Sequence, residues 1–175
     1  MTPPADSAIV MHRLAMPSDP AIIQALGALV IAHTQLELVM RYTIKTLSRE
    51  PNVDVALNQT KGFRMNELRQ RIRQLFTSMQ PTDRELHELN TLLEQARRLS
   101  KKRNDYAHST WSATEAGESL MHDVRHRWGP APTVEEMRQV TLFLVICSNA
   151  LNYNRLHGFI AAVVKRRAGS ATKHG

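Results

Sequence analysis

The sequence predicts an all-α fold: a bundle of four main helices, with a short β-hairpin between the third and the fourth. Three observations carry that expectation. Apolar residues recur at three- and four-residue steps along four stretches, as one buried face of a helix requires. Two of those stretches open on a capping box, Thr82-Asp83-Arg84-Glu85 and Thr133-Val134-Glu135-Glu136. Pro20, Pro51 and Pro81 stand where the patterns start or stop.

Residues 1–17 hold three prolines and no sustained periodicity, so they read as a flexible N-terminal arm or a loosely docked strand. Ser18 and Asp19 are cap candidates and Pro20 suits a first turn, which starts helix one near 20; Pro51 ends it near 49. Its inward stripe is Ile22, Leu26, Leu29, Leu36, Met40, Ile44 and Leu47. One extra turn fits around 53–57 before the break at Lys61-Gly62. Helix two follows over 63–79 through Met65, Leu68, Ile72, Leu75 and Met79. Helix three starts at its capping box and buries Leu86, Leu89, Leu93, Ala96 and Leu99 or Ser100, a line that continues into Arg103. Residues 109–130 carry Thr, Trp and Val, with a turn candidate at Glu115-Ala116-Gly117-Glu118, and read as the hairpin. Helix four opens at its own capping box and runs through Met137, Val140, Leu144, Cys147, Leu151 and Phe159. It is apolar on nearly all sides over 141–146, so it is either central, under the N-terminal arm, or part of a subunit interface; a homodimer is the preferred reading. The bundle is one domain over 18–166, followed by a basic tail over 167–175.

The chain has 175 residues, 42% of them apolar, enough to bury a single core without disulfides. The one cysteine, Cys147, lies in an apolar run and reads as a small buried hydrophobe, which fits a reducing, cytoplasmic setting. The N-terminus lacks a basic region followed by an apolar one, and the longest apolar stretch, 25–32, is too short to span a bilayer, so neither a secretory signal nor a membrane partner is expected. Twenty-three Lys and Arg against 16 Asp and Glu give a net charge of +7 and a pI near 10.1, which favours anionic partners such as nucleic acid.

Arg103 falls seven residues after Ala96 and fourteen after Leu89, so helix three aims its guanidinium inward, where a lone charge is costly. Glu37, which shares a face of helix one with Val30 and Ile44, is its candidate partner; a place on the solvated edge of that helix is the alternative. Asn104 and His108 are one turn apart. Arg103 and His108 are about 140° apart on an ideal helix. Their convergence therefore calls for a helix that ends or bends between Tyr106 and Ser109, or for a second subunit. Arg97 and Lys101 lie upstream on the face of Asn104 and His108, with Arg98 and Lys102 beside them, a line along which an anionic polymer fits.

Arg103-Asn104-x-x-x-His108 resembles the motif of the HEPN family, an Arg followed by a polar residue and, after a short spacer, a His. The long first helix with its internal Glu, the motif late in helix three and the long fourth helix extend the resemblance to most of the chain. It implies a HEPN-like helical bundle, commonly dimeric, that acts on RNA as a metal-independent endoribonuclease of toxin or defence type. It also admits a regulatory partner such as an antitoxin. Carried to this sequence, His108 takes part in proton transfer at the 2′-hydroxyl or the leaving oxygen, Arg103 stabilises phosphate charge, and Asn104 orients one of them; no metal or other cofactor is needed. Thr110 stands where one subtype carries a modified tyrosine, which argues against that regulation here. Other family members bind RNA or serve as scaffolds without cutting, so a non-catalytic interaction module binding RNA or protein is the alternative function.

Other residues invite chemistry less strongly. His122, Asp123 and His126 have helix-type metal spacing in a segment that does not read as helix, and no third or fourth ligand has a recognisable place, so no metal site is expected. His33 reads as a hydrogen-bonded core histidine. Lys61, Arg64, Arg69, Arg71 and Arg73 read as a solvated basic face, with phosphate contact as the alternative. Trp111 and Trp128 read as hairpin packing, with base stacking as the alternative.

Overall fold

The computed structural model describes residues 17, 19–113, 118–122 and 128–171. Its helices are α1 (Pro20–Ser48), α2 (Val53–Gln59), α3 (Met65–Ser78), α4 (Asp83–His108), α5 (Val134–Leu156) and α6 (Phe159–Ala171), with strands β1 (Thr110–Ala113), β2 (Ser119–His122) and β3 (Trp128–Pro130) between α4 and α5. The protein is thus mostly helical with a small sheet. The N-terminal arm up to residue 16, the turn at Glu115-Ala116-Gly117, Asp123, His126 and residues 172–175 lie outside the described residues.

The caps explain where the helices begin. Asp19 Oδ1 accepts from the Ala21 N–H at 2.8 Å, with Pro20 at the first helical position. Both expected capping boxes are formed: Thr82 and Glu85 exchange bonds at the start of α4, as do Thr133 and Glu136 at the start of α5. Arg49, left-handed at φ 57°, closes α1.

The fourth predicted helix is two helices. The N–H groups of His157 and Gly158 both turn back to the Tyr153 carbonyl, and a Cβ on Gly158 would fall 2.9 Å from the Asn154 Cα, a backbone atom, so the break favours glycine. α6 continues to Ala171, five residues beyond the expected end of the domain at 166. The hairpin is the first pair of a three-stranded antiparallel sheet in the order β1-β2-β3, with Trp111 opposite Met121 and Met121 opposite Gly129.

α1 and α5 make the largest helix pair and run the same way: Ile22 and Ala25 meet Met137 at one end, and Arg155 lies over the Tyr42 ring at the other. α4 runs against both, with Ser100 on His33 and the Leu92 carbonyl facing Cys147. Leu29, Leu36, Leu68, Phe76, Leu93 and Leu144 are fully buried where the helices meet; each such side chain contributes roughly 1.5–3 kcal/mol by leaving water. By length and composition alone α1 would also cross a membrane, but its inward stripe supplies much of this core.

A smaller apolar cluster holds the end of the bundle where the motif lies. Ile22, Ala25 and Met137 are packed by Tyr106 from α4 and Trp111 from β1, and the Trp111 indole N–H donates to the Tyr106 carbonyl at 3.2 Å. The last turn of α4 is therefore gripped from inside. Trp111 has the packing role expected of it, and Trp128 lies against the His122 ring at 5.0 Å.

Candidate functional site

Helix period sends Arg103 inward and Asn104 to the side, and α4 then ends at His108, with Ser109 extended at φ −73° and ψ 151°. The Ser109 hydroxyl donates to the Asp105 carbonyl and closes the final turn. The Arg103 side chain is long enough to cross the remaining angle. Its Nη1 donates to Asn104 Oδ1 at 2.8 Å and lies 3.3 Å from His108 Nε2. All three motif residues thus converge within one chain, and a second subunit is not needed to assemble them. Asn104 and His108 are exposed and Arg103 is half-buried, so the group is open to solvent.

The contact with His108 has a chemical direction. A guanidinium only donates, so an attractive contact makes Nε2 the unprotonated nitrogen, its lone pair turned to Nη1 until a substrate hydroxyl takes that place. An imidazole in that state can take a proton from a neighbouring hydroxyl. Arg103 Nη2 makes no hydrogen bond to a described residue, which leaves guanidinium donors available to an anion.

Glu37 is not on Arg103. Its Oε1 lies 3.8 Å from His33 Nδ1, one turn away on α1, and neither a hydrogen bond nor an ion pair joins it to Arg103 among the described residues. His33 itself is buried, and its Nε2 meets Ser100 Oγ at 3.1 Å. Burial, helped by the nearby Arg103 charge, lowers the His33 pKa to about 4, so it is neutral near pH 7. Sequence reasoning placed His33 in the core but gave no sign that it meets Ser100, one turn before Arg103, because contacts between helices leave no periodic trace.

The four cations upstream of the motif divide between two faces. Arg97 and Lys101 line a groove of about 460 Å³ together with Arg64 and Asn66 at the start of α3, and Asn104 lies in the same groove. Arg98 and Lys102 instead line a second groove with Tyr106, Glu136 and Phe143. Glu94 holds Arg97 at 2.7 Å and Arg98 at 3.2 Å, and those bonds draw its carboxyl down to about 2. Tyr106, half-buried near Glu136 and Asp105, has its pKa raised, mainly by burial, and stays protonated at neutral pH.

The other basic residues of α3 are partly structural. Arg69 Nε donates to the Leu93 carbonyl at 2.9 Å and Arg73 Nε to Asn90 Oδ1 at 2.8 Å, tying α3 to α4. Arg64, which the sequence grouped with that basic face, instead lines the groove that holds Lys101 and Asn104, a placement that only the approach of α3 to α4 gives. Among the described residues no cluster of three metal-ligating side chains occurs. Cys147 is buried, and burial pushes its thiol up to about 11.

No protein-family model, curated protein or solved structure matches the chain.

Proposed function

We propose that this protein is a HEPN-like, metal-independent endoribonuclease of toxin or defence type that works in the cytoplasm. The observation that carries the reading is the single-chain convergence of Arg103, Asn104 and His108 at 2.8 and 3.3 Å on an open surface. In the reaction the 2′-oxygen of a ribose forms a bond to the adjacent phosphorus while the bond to the 5′-oxygen of the next nucleotide breaks, giving a 2′,3′-cyclic phosphate and a 5′-hydroxyl. His108 Nε2 accepts the 2′-hydroxyl proton, and that proton is later returned to the leaving oxygen. The Arg103 guanidinium supports the charge that builds on the phosphate oxygens. Asn104 Oδ1 fixes the guanidinium meanwhile.

A homodimer is part of the reading. α1 presents Ile31 and Leu38 outward at 62% and 42% exposure, and α5 presents Leu142 and Ile146 at 53% and 48%. Apolar surface of this kind marks a docking face, and a second copy of the chain is the occupant proposed. A regulatory protein such as an antitoxin belongs to the toxin-type reading. The second functional reading is an RNA- or protein-binding module without catalysis. The Arg103–Asn104 bond favours it, since it gives the guanidinium a partner within the chain.

The test is incubation of purified protein with single-stranded and structured RNA in excess EDTA. The parent should cut and leave cyclic phosphate ends; His108→Ala and Arg103→Ala should each lose roughly 100-fold or more while keeping the parental circular dichroism. Cutting by His108→Ala at the parental rate would overturn the catalytic assignment. Salt-sensitive binding without cutting would select the module, and absence of binding would remove both RNA readings.

A further inference from the structure

Behind the motif lie two buried polar atoms with no hydrogen-bond partner, His33 Nδ1 and Arg103 Nε. Such atoms are rare because each forgoes a bond that water would have given it. The Ser100 hydroxyl decides which kind of atom His33 Nδ1 is. Ser100 Oγ has one proton, and its shorter contact is to the Ala96 carbonyl, at 2.7 Å. With that proton committed, Ser100 can only accept from His33, at 3.1 Å. Nε2 is therefore the protonated nitrogen of His33, and Nδ1 carries a lone pair.

Arg103 Nε–H is the opposite kind of group, a donor without an acceptor. Ser100 and Arg103 are three residues apart on α4, on the same inward side, so the histidine held by Ser100 faces the turn of α4 that carries Arg103. Glu37 Oε1, 3.8 Å from Nδ1, is a second acceptor facing the first, and an N–H donor is what such a pair requires.

We infer that His33 is a positioning residue for Arg103, its unprotonated Nδ1 taking the Arg103 Nε–H through one water. Fixing the guanidinium at Nε leaves Nη1 aimed at Asn104 and His108 and frees Nη2 for an anion. His33 touches no substrate; it acts through Arg103. The assignment concerns the guanidinium on which the ribonuclease reading rests, but it is tested without RNA.

The experiment is nitrogen NMR on the full chain, with Arg103→Lys used to identify the Arg103 Nε–H resonance. Long-range proton–nitrogen spectra should show His33 as the Nε2–H tautomer, and the Arg103 Nε–H should exchange slowly with solvent. His33→Gln keeps a polar group near Ser100 but removes the acceptor at the Nδ1 position, and should speed that exchange about five- to tenfold, the factor one hydrogen bond supplies. His33→Asn, which restores an acceptor at that position, should keep it slow, a rescue that mere core packing would not give. The Nδ1–H tautomer in the parent, or unchanged exchange in His33→Gln, would overturn the inference. A protein that cuts no RNA leaves both readouts intact, so the two failures are distinguishable.

Discussion

At the residue scale, the buried imidazole of His33 makes a prediction about stability. Its pKa is about 4 in the folded protein, chiefly from burial and then from the Arg103 charge, against an ordinary 6.5. As pH falls the unfolded chain takes up this proton first, so the contribution is complete above 6.5, declines between 6.5 and 4, and is gone below 4. The shift corresponds to roughly 3 kcal/mol. Urea unfolding of the parent should therefore weaken across that window more steeply than unfolding of His33→Gln, which has no proton to gain; equal slopes would mean that His33 is not held neutral. The inward course of Arg103 was legible from its seven-residue spacing behind Ala96 and Leu89. Its neighbour was not. Glu37 shares a face with apolar residues, but so does His33, and helix period does not decide which of two inward side chains on α1 meets a given position on α4. Cys147 was legible throughout, because an apolar run around a lone thiol leaves it little but the core.

At the element scale, α4 turns a run of four cations into two faces, and this separates a path to the motif from a surface that bypasses it. Arg97 and Lys101 share a groove with Arg64 and Asn104, whereas Arg98 and Lys102 look toward Glu136 and Phe143. If RNA approaches along the first groove, Lys101→Ala should lower the slope of log affinity against log salt by about 1, the value of one phosphate contact. Lys102→Ala should leave the slope unchanged. Fluorescence anisotropy with labelled single-stranded RNA over a salt series reads both, and equal losses would show that the groove does not guide the strand. The caps and stripes that set α1, α3, α4 and the start of α5 were plain in the sequence, since a capping box and a run of leucines at helical spacing are local signals. The α5–α6 break was hidden because Leu151 and Phe159, eight residues apart, keep helical spacing across Gly158. The third strand was hidden because three residues are too few to show alternation.

At the scale of the whole molecule, the unsettled surface is the one that α1 and α5 turn away from the core. These helices run side by side in the same direction, and their outward residues include Ile23, Val30, Ile31 and Leu38 on one and Leu142, Val145, Ile146 and Tyr153 on the other. The sequence showed that helix four is apolar on nearly all sides over 141–146, which calls for a cover but does not name it. Specific dimers bury about 800 Å² on each partner around an apolar centre. A charge placed at that centre would have to lose its water on association, at a cost of several kcal/mol. Ile146→Asp should thus convert a dimer to a monomer in sedimentation velocity, with the helical circular dichroism retained because Ile146 lies outside the core. Arg103, Asn104 and His108 converge within one chain, so the monomeric variant keeps the motif geometry, and its RNA-cutting rate per chain separates assembly from chemistry. A parent already monomeric at tens of micromolar would remove the dimer and direct attention to residues 1–16 as the cover, which deletion of that segment would then test by the exposure of the same face to a hydrophobic dye.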